Sequence, residues 1–167
     1  MENQLPARKH NRYPEYDYSQ NGAYFITICT QDRNKILSDI VGGGAHDAAK
    51  VILTGIGKIV QKHIVNSNRI PGITVDKYVI MPDHIHLILS IDMPMGIGTS
   101  RAPSPTNASI PHFVSTLKRF CHRDIGNTIF QRSYYDHVIR NGQDYNEVWE
   151  YIDNNPLKWV LKKEGEV

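Results

Sequence analysis

His84-Ile85-His86 puts two imidazoles two residues apart inside an apolar run from Tyr78 to Ile91. Side chains two apart on a strand point the same way, so both rings share a face and can offer two nitrogens to one divalent ion. The competing reading is a pair of ordinary histidines on a solvated strand face. Val75, Val79, Leu87, Ile88, Leu89 and Ile91 argue against it, because they make the surrounding strands largely buried, and two uncompensated polar rings beside such a core are costly. Nearer the C-terminus, Tyr151 and Asn155 stand one helical turn apart, to one side of an apolar stripe. Facing the histidines across a cleft, a phenol and a carboxamide would supply a nucleophile and a third, neutral metal ligand. Two points stay open at this level. Asn155 precedes Pro156, which disfavours helical geometry and would let its amide act as a cap instead, and Tyr134, Tyr135 and Tyr145 are rival nucleophiles.

The elements that must position these groups follow from periodicity. Residues 1–20 are charged and tyrosine-rich without pattern, and form an irregular basic arm carrying Arg8, Lys9 and Arg12. Ala23 to Thr30 has the β-branched and aromatic content of a buried strand. Gly42-Gly43-Gly44 lacks the Gly-Lys-Ser/Thr ending of a phosphate-binding loop and reads as a flexible connector. From Ala49 to Asn66, Ile52, Ile56, Ile59, Val60 and Ile64 fall at amphipathic-helix spacing. Ile73 to Ile80 and His84 to Ile91 form a hairpin across Met81-Pro82-Asp83, where proline presets the turn. Residues 93–108, rich in Gly, Pro, Ser and Thr, read as a flexible loop. Ser109 then caps a helix whose apolar stripe is Ile110, Phe113, Val114, Leu117 and Cys121. Lys118, Arg119, His122 and Arg123 make its other side basic, either a solvated face or one that meets a phosphate backbone. Tyr134 to Ile139 is a further strand, and Asp144 to Asn154 a last helix that Pro156 stops. The order strand, helix, strand, strand, helix, strand, helix predicts an α+β fold: a ferredoxin-like antiparallel sheet with helices on one face, closed by a C-terminal helix that carries Tyr151.

The bulk composition limits what this site can serve. At 167 residues, with 40% hydrophobic and 22% charged residues, the chain is expected to form one globular domain. A net charge of +2 is too small to imply a polyanionic partner, so local patches must make that case. Cys29 and Cys121 lie in apolar runs with no spacing of a disulfide framework or zinc knuckle, and are expected to be reduced core thiols. No stretch approaches the length of a membrane span and the N-terminus is polar and basic, so a cytoplasmic protein without membrane contact is expected.

With these residues in view, the chain resembles the HUH-type tyrosine transposases that act on single-stranded DNA, most closely the REP-associated tyrosine transposase branch. Four segments carry the resemblance: Tyr16-Asp17-Tyr18, Gly22-Ala23-Tyr24-Phe25-Ile26-Thr27, Val79 through His86, and Tyr151-Ile152-Asp153-Asn154-Asn155-Pro156. It implies that His84, His86 and Asn155 bind a divalent cation, Mg²⁺ or Mn²⁺, and that Tyr151 attacks DNA to form a 5′-phosphotyrosine intermediate. Asp83 stands where the family often has asparagine. The resemblance also implies single-stranded DNA with hairpins as partner and leaves a homodimer open; the basic arm and helix face make Arg8, Lys9, Arg12, Lys118, Arg119 and Arg123 the candidate DNA contacts. Two alternatives compete with transposition. A domesticated protein would bind DNA hairpins without cutting them, and a replication initiator of the HUH endonuclease kind would share the order of histidines and tyrosine. The short chain without a helicase region favours the transposase. A histidine-triad nucleotide hydrolase would need a third histidine where Ile88 stands.

Overall fold

The computed structural model describes residues 20–42, 48–92 and 110–164. Residues 1–19 with Arg8, Lys9 and Arg12, the 93–108 loop and the Ser109 cap lie outside them. Four strands form the main sheet: β1 (Gly22–Cys29), β4 (Ile73–Ile80), β5 (His84–Ile91) and β6 (Tyr135–Ile139). Their order is β4-β5-β1-β6, with all neighbours antiparallel. Between β1 and β4 come a ribbon of β2 (Ser38–Val41) with β3 (Lys50–Leu53) and helix α1 (Gly55–Asn66). Helix α2 (Ile110–Ile125) joins β5 to β6, and α3 (Gly142–Glu164) ends the described chain. Leaving the ribbon aside, this is the ferredoxin-like α+β arrangement that the residue pattern predicts, with the C-terminal helix added.

Strand alternation divides the sheet into two faces. Tyr24, Ile26 and Ile28 of β1 and Ile85, Leu87, Leu89 and Ile91 of β5 point into the main core, where Val60 and Ile64 of α1 and Phe113, Val114 and Leu117 of α2 cover them. The partners on the opposite face are Phe25 with Ile88, Thr27 with His86, and Cys29 with His84. Here a small apolar cluster, Ile88 with Val148 and Ile152 and the partly buried Phe25, Val79, Ile139 and Tyr145 around them, packs α3 on the sheet. One face therefore supplies most of the hydrophobic stabilisation, and the other carries the polar groups.

Two boundaries differ from the sequence reading. Residues 50–53 are not the first turn of α1 but a strand paired with β2, Ile40 opposite Val51 and Asp39 opposite Ile52. The β-branched run Val51-Ile52 suits a ribbon, and Thr54 then begins the helix: its backbone is extended and its hydroxyl accepts the Gly57 N–H at 3.0 Å. Pro156 does not stop α3, which runs unbroken for 23 residues. Proline costs the helix the hydrogen bond that the Ile152 carbonyl would accept. Burial of Ile152, Asn155, Pro156 and Val160 offsets that loss, and the helix continues through the proline.

Candidate active site

His84 and His86 open β5 on the face that α3 covers, and both are buried. Their Nε2 atoms face one another at 3.0 Å. The far side of each ring is held by a different residue. Nδ1 of His84 donates to the Asp83 carboxylate at 2.5 Å, and a carboxylate only accepts, so the His84 proton sits on Nδ1. Nδ1 of His86 meets Thr27 Oγ1 at 2.9 Å, a contact set by the β1–β5 register, which places Thr27 directly opposite His86. With Nδ1 engaged on each ring, the two Nε2 atoms face the same small space between the rings. Phe25 stacks on His86 with centroids 5.1 Å apart.

The electrostatics favour neutral imidazoles. Burial lowers the pKa of His84 even though the Asp83 carboxylate pulls it upward. Burial, with help from the neighbouring His84 and the Arg33 guanidinium, lowers that of His86 to about 3. Neutral rings with exposed lone pairs are what cation ligation requires. A 3.0 Å gap between two imidazole nitrogens is short enough for one divalent ion to be shared by both rings, which would then act as two of its ligands. Among the described residues no group of three His, Cys, Asp or Glu side chains could hold a metal.

Helix α3 runs antiparallel to β5 above this pair. Tyr145 reaches Asp76 beside Ser90, at the far end of the strand, through a 3.2 Å hydrogen bond. Tyr151 lies over His86 with ring centroids 5.3 Å apart, and Trp159 lies near His84 at 6.1 Å. Asn155 is one turn from each on the same side of the helix, and it is buried. Tyr151 and Trp159 thus bracket the histidines, and Asn155 lies between them on the helix, so His84, His86 and Tyr151 meet while Asn155 is placed by its turn of α3. The rival tyrosines separate: Tyr134 is buried, the Tyr145 hydroxyl is held by Asp76, and Tyr135 shares the histidine face but sits on β6, beyond β1. Tyr151 is 39% exposed, open to a polymeric substrate.

The basic face of α2 is elsewhere. The helix covers the opposite side of the sheet, and Lys118 is turned inward, donating to the carbonyls of Gln131, Arg132 and Ser133 at 2.7, 3.2 and 3.0 Å. Its burial lowers the ammonium pKa to about 8. Arg119 and Arg123 flank Phe120 and are exposed. Thr27, Phe25, Arg33 and Trp159 are site neighbours that sequence reasoning missed. Only the strand register and the α3 path bring them to the histidines, although Asp83, adjacent to His84, could have been read as its partner.

A model of the family described as "Transposase IS200 like" matches residues 18–155. The chain belongs to that family. Among the relatives of this IS200-like transposase is an uncharacterised Haemophilus influenzae protein, 29% identical over 91% of this chain and 89% of the other. An Escherichia coli REP-associated tyrosine transposase is 24% identical, covering 90% of this chain and 76% of its own length. A solved REP-associated tyrosine transposase bound to a REP hairpin shares the fold with a TM-score of 0.62 at 22% identity, over 93% of this chain and 75% of that one. The family's members are transposases, enzymes that act on DNA. No helix among the described residues is long and apolar enough to cross a membrane.

Proposed function

We propose that this IS200-like transposase nicks and rejoins single-stranded DNA through Tyr151, with a divalent cation, Mg²⁺ or Mn²⁺, held by His84, His86 and Asn155. One observation carries the reading: two buried imidazoles bring their Nε2 atoms 3.0 Å apart, and the Tyr151 ring lies 5.3 Å from that of His86. When bound, the cation would supply Lewis-acid stabilisation of charge on the phosphate. The chain's own residues do the rest. Asp83 and Thr27 fix the two rings by their Nδ1 atoms, so that the ligand geometry exists before substrate arrives. Phe25 supports His86 from below and meets the edge of Tyr151 at 5.8 Å, limiting the swing of the phenol. Lys158, 5.2 Å from the Tyr151 ring centre, brings a positive charge that favours an anionic phosphodiester.

In the proposed step the Tyr151 oxygen forms a bond to phosphorus as it gives up its proton, and the bond from phosphorus to the 3′-oxygen breaks. That oxygen takes a proton and leaves as a 3′-hydroxyl, while the 5′-phosphate stays on the tyrosine. The phosphodiester energy is conserved, so another 3′-hydroxyl can reverse the step and transfer the strand. Tyr151 lies 5.3 Å from His86 of its own chain, which supports a site completed within one protomer.

A DNA hairpin with flanking single strand is the proposed substrate. Its stem is assigned to the cations Arg8, Lys9, Arg12, Arg119 and Arg123, and Lys118 contributes least because three carbonyls already hold its ammonium. The test incubates the protein with Mn²⁺ and labelled single-stranded hairpin DNA. Wild type is expected to give a denaturation-resistant protein–DNA adduct that Tyr151→Phe lacks. An adduct that persists in the variant moves the nucleophile to another tyrosine, and tight binding without any adduct favours a hairpin-binding protein that does not cut.

A further inference from the structure

A cleft of about 370 Å³ lies beside the His84 end of the site, between the β2 strand and the last turns of α3. Trp159 forms one wall, and Lys35, Lys163, Pro82 and Asp39 are among its other lining groups. The indole is half-buried, and it sits 6.1 Å from the His84 ring on one side and 5.6 Å from the Lys35 ammonium on another. Neither wall belongs to the ferredoxin-like core: one is the inserted ribbon, the other the part of α3 beyond Pro156.

The loop that delivers Lys35 is held in strain. Asp32 and Arg33 are both left-handed, with φ of 52° and 58°, a conformation that costs non-glycine residues energy. It persists because the loop is stitched to the histidine turn. Thr30 N–H and Thr30 Oγ1 both donate to the Asp83 carbonyl at 2.9 Å, and Leu37 N–H donates to the Pro82 carbonyl at 3.0 Å. Arg33 is thereby set 3.9 Å from Asp83, with its Nη1 donating to Cys29 Sγ at 3.1 Å. A fixed aromatic wall next to two exposed lysines, with one aspartate against them, is suited to a base and an anionic backbone.

The geometry points to this cleft as the subsite for a nucleotide flanking the scissile phosphate, its base stacked on Trp159 and its phosphate drawn to Lys35 and Lys163. This inference rests on the single-strand reading above. Its test uses pentathymidylate without divalent ion, so that no cleavage is needed. In a Trp149→Phe background Trp159 is the remaining tryptophan, and its fluorescence is expected to be quenched on titration. Trp159→Leu should weaken binding about tenfold or more, with Trp159→Phe between the two. Lys35→Gln, at an exposed position, should lower the slope of log affinity against log salt by about 0.7. Unquenched Trp159 fluorescence, or wild-type affinity and salt slope in Trp159→Leu and Lys35→Gln, overturns the subsite. Quenching by a protein that forms no adduct with hairpin DNA upholds the subsite while the nuclease reading fails. An adduct formed at the wild-type rate by a Trp159→Leu protein of unchanged affinity does the reverse.

Discussion

The two histidines are kept neutral by the same burial that makes them useful as ligands, and this has a consequence for stability. His86 has a pKa of about 3 in the folded chain, against an ordinary value of 6.5. Between those values the unfolded state binds the proton and the folded state does not, so stability is complete above 6.5 and falls as the pH drops toward 3. For His86 alone, moving the metal-free protein from pH 7 to pH 5 should cost about 2 kcal/mol of unfolding free energy. His84, also lowered by burial, acts in the same direction. Urea denaturation at the two pH values measures the loss, and His86→Gln should reduce it. An unchanged midpoint across that range in wild type would mean that the rings take up protons in the folded chain.

At the scale of elements, α1 shows how a short segment fixes the neighbourhood of the site. Its first turn approaches the loop after β1 so closely that a Cβ on Gly57 would stand 1.9 Å from the Leu37 carbonyl oxygen. That oxygen already accepts from the Thr54 N–H at 3.0 Å, and Leu37 in turn ties to Pro82 of the histidine turn, so the backbone there has no freedom to yield. Gly57→Ala should therefore destabilise by about 1 to 3 kcal/mol despite alanine's better helix propensity. Gly55→Ala, two residues earlier with open space around its Cβ, should be neutral or stabilise by up to about 1 kcal/mol. Equal midpoints for the two variants in chemical denaturation would refute the close approach. The hairpin β4–β5 was legible residue for residue, because alternation and the Met81-Pro82-Asp83 turn are both local signals. The ribbon was not: Ile52 fits a helical stripe by spacing, and only its pairing partner on β2 makes it a strand residue. Likewise the His84–His86 spacing is visible in the sequence, whereas Tyr151 and Asn155 stand out from rival residues only through the family resemblance. Thr27 and Trp159 are indistinguishable from ordinary core and surface residues until the β1–β5 register and the passage of α3 through Pro156 are known.

Over the whole molecule, the two faces of the sheet differ in what holds them. Helices α1 and α2 share one extensive apolar core with the strands, whereas α3 rests on a cluster whose buried members are Ile88, Val148 and Ile152. The polar ties of α3 to the strands include Tyr145 to Asp76, the 2.9 Å contact of Asp144 with His137 of β6 and the 2.7 Å ion pair of Lys77 with Asp153, and because His137 and Asp153 are well exposed, the last two contribute little. The helix bearing Tyr151 is thus the least firmly bound layer, and local opening should begin there. A cation held jointly by β5 and Asn155 would bridge that layer to the sheet and stabilise the closed arrangement, by about 2.7 kcal/mol at a hundredfold excess over its Kd. Hydrogen exchange measured with and without Mn²⁺ should show slowing across α3 and the start of β5, with α1 much less affected. Chelation should reverse the effect and His84→Ala should abolish it. Asn155→Ala should keep a weaker slowing in β5 and lose most of it in α3, because the histidines still bind while the bridge to the helix is gone. Slowing confined to β5 in the wild type would assign the cation to the histidines alone and remove Asn155 from its ligands.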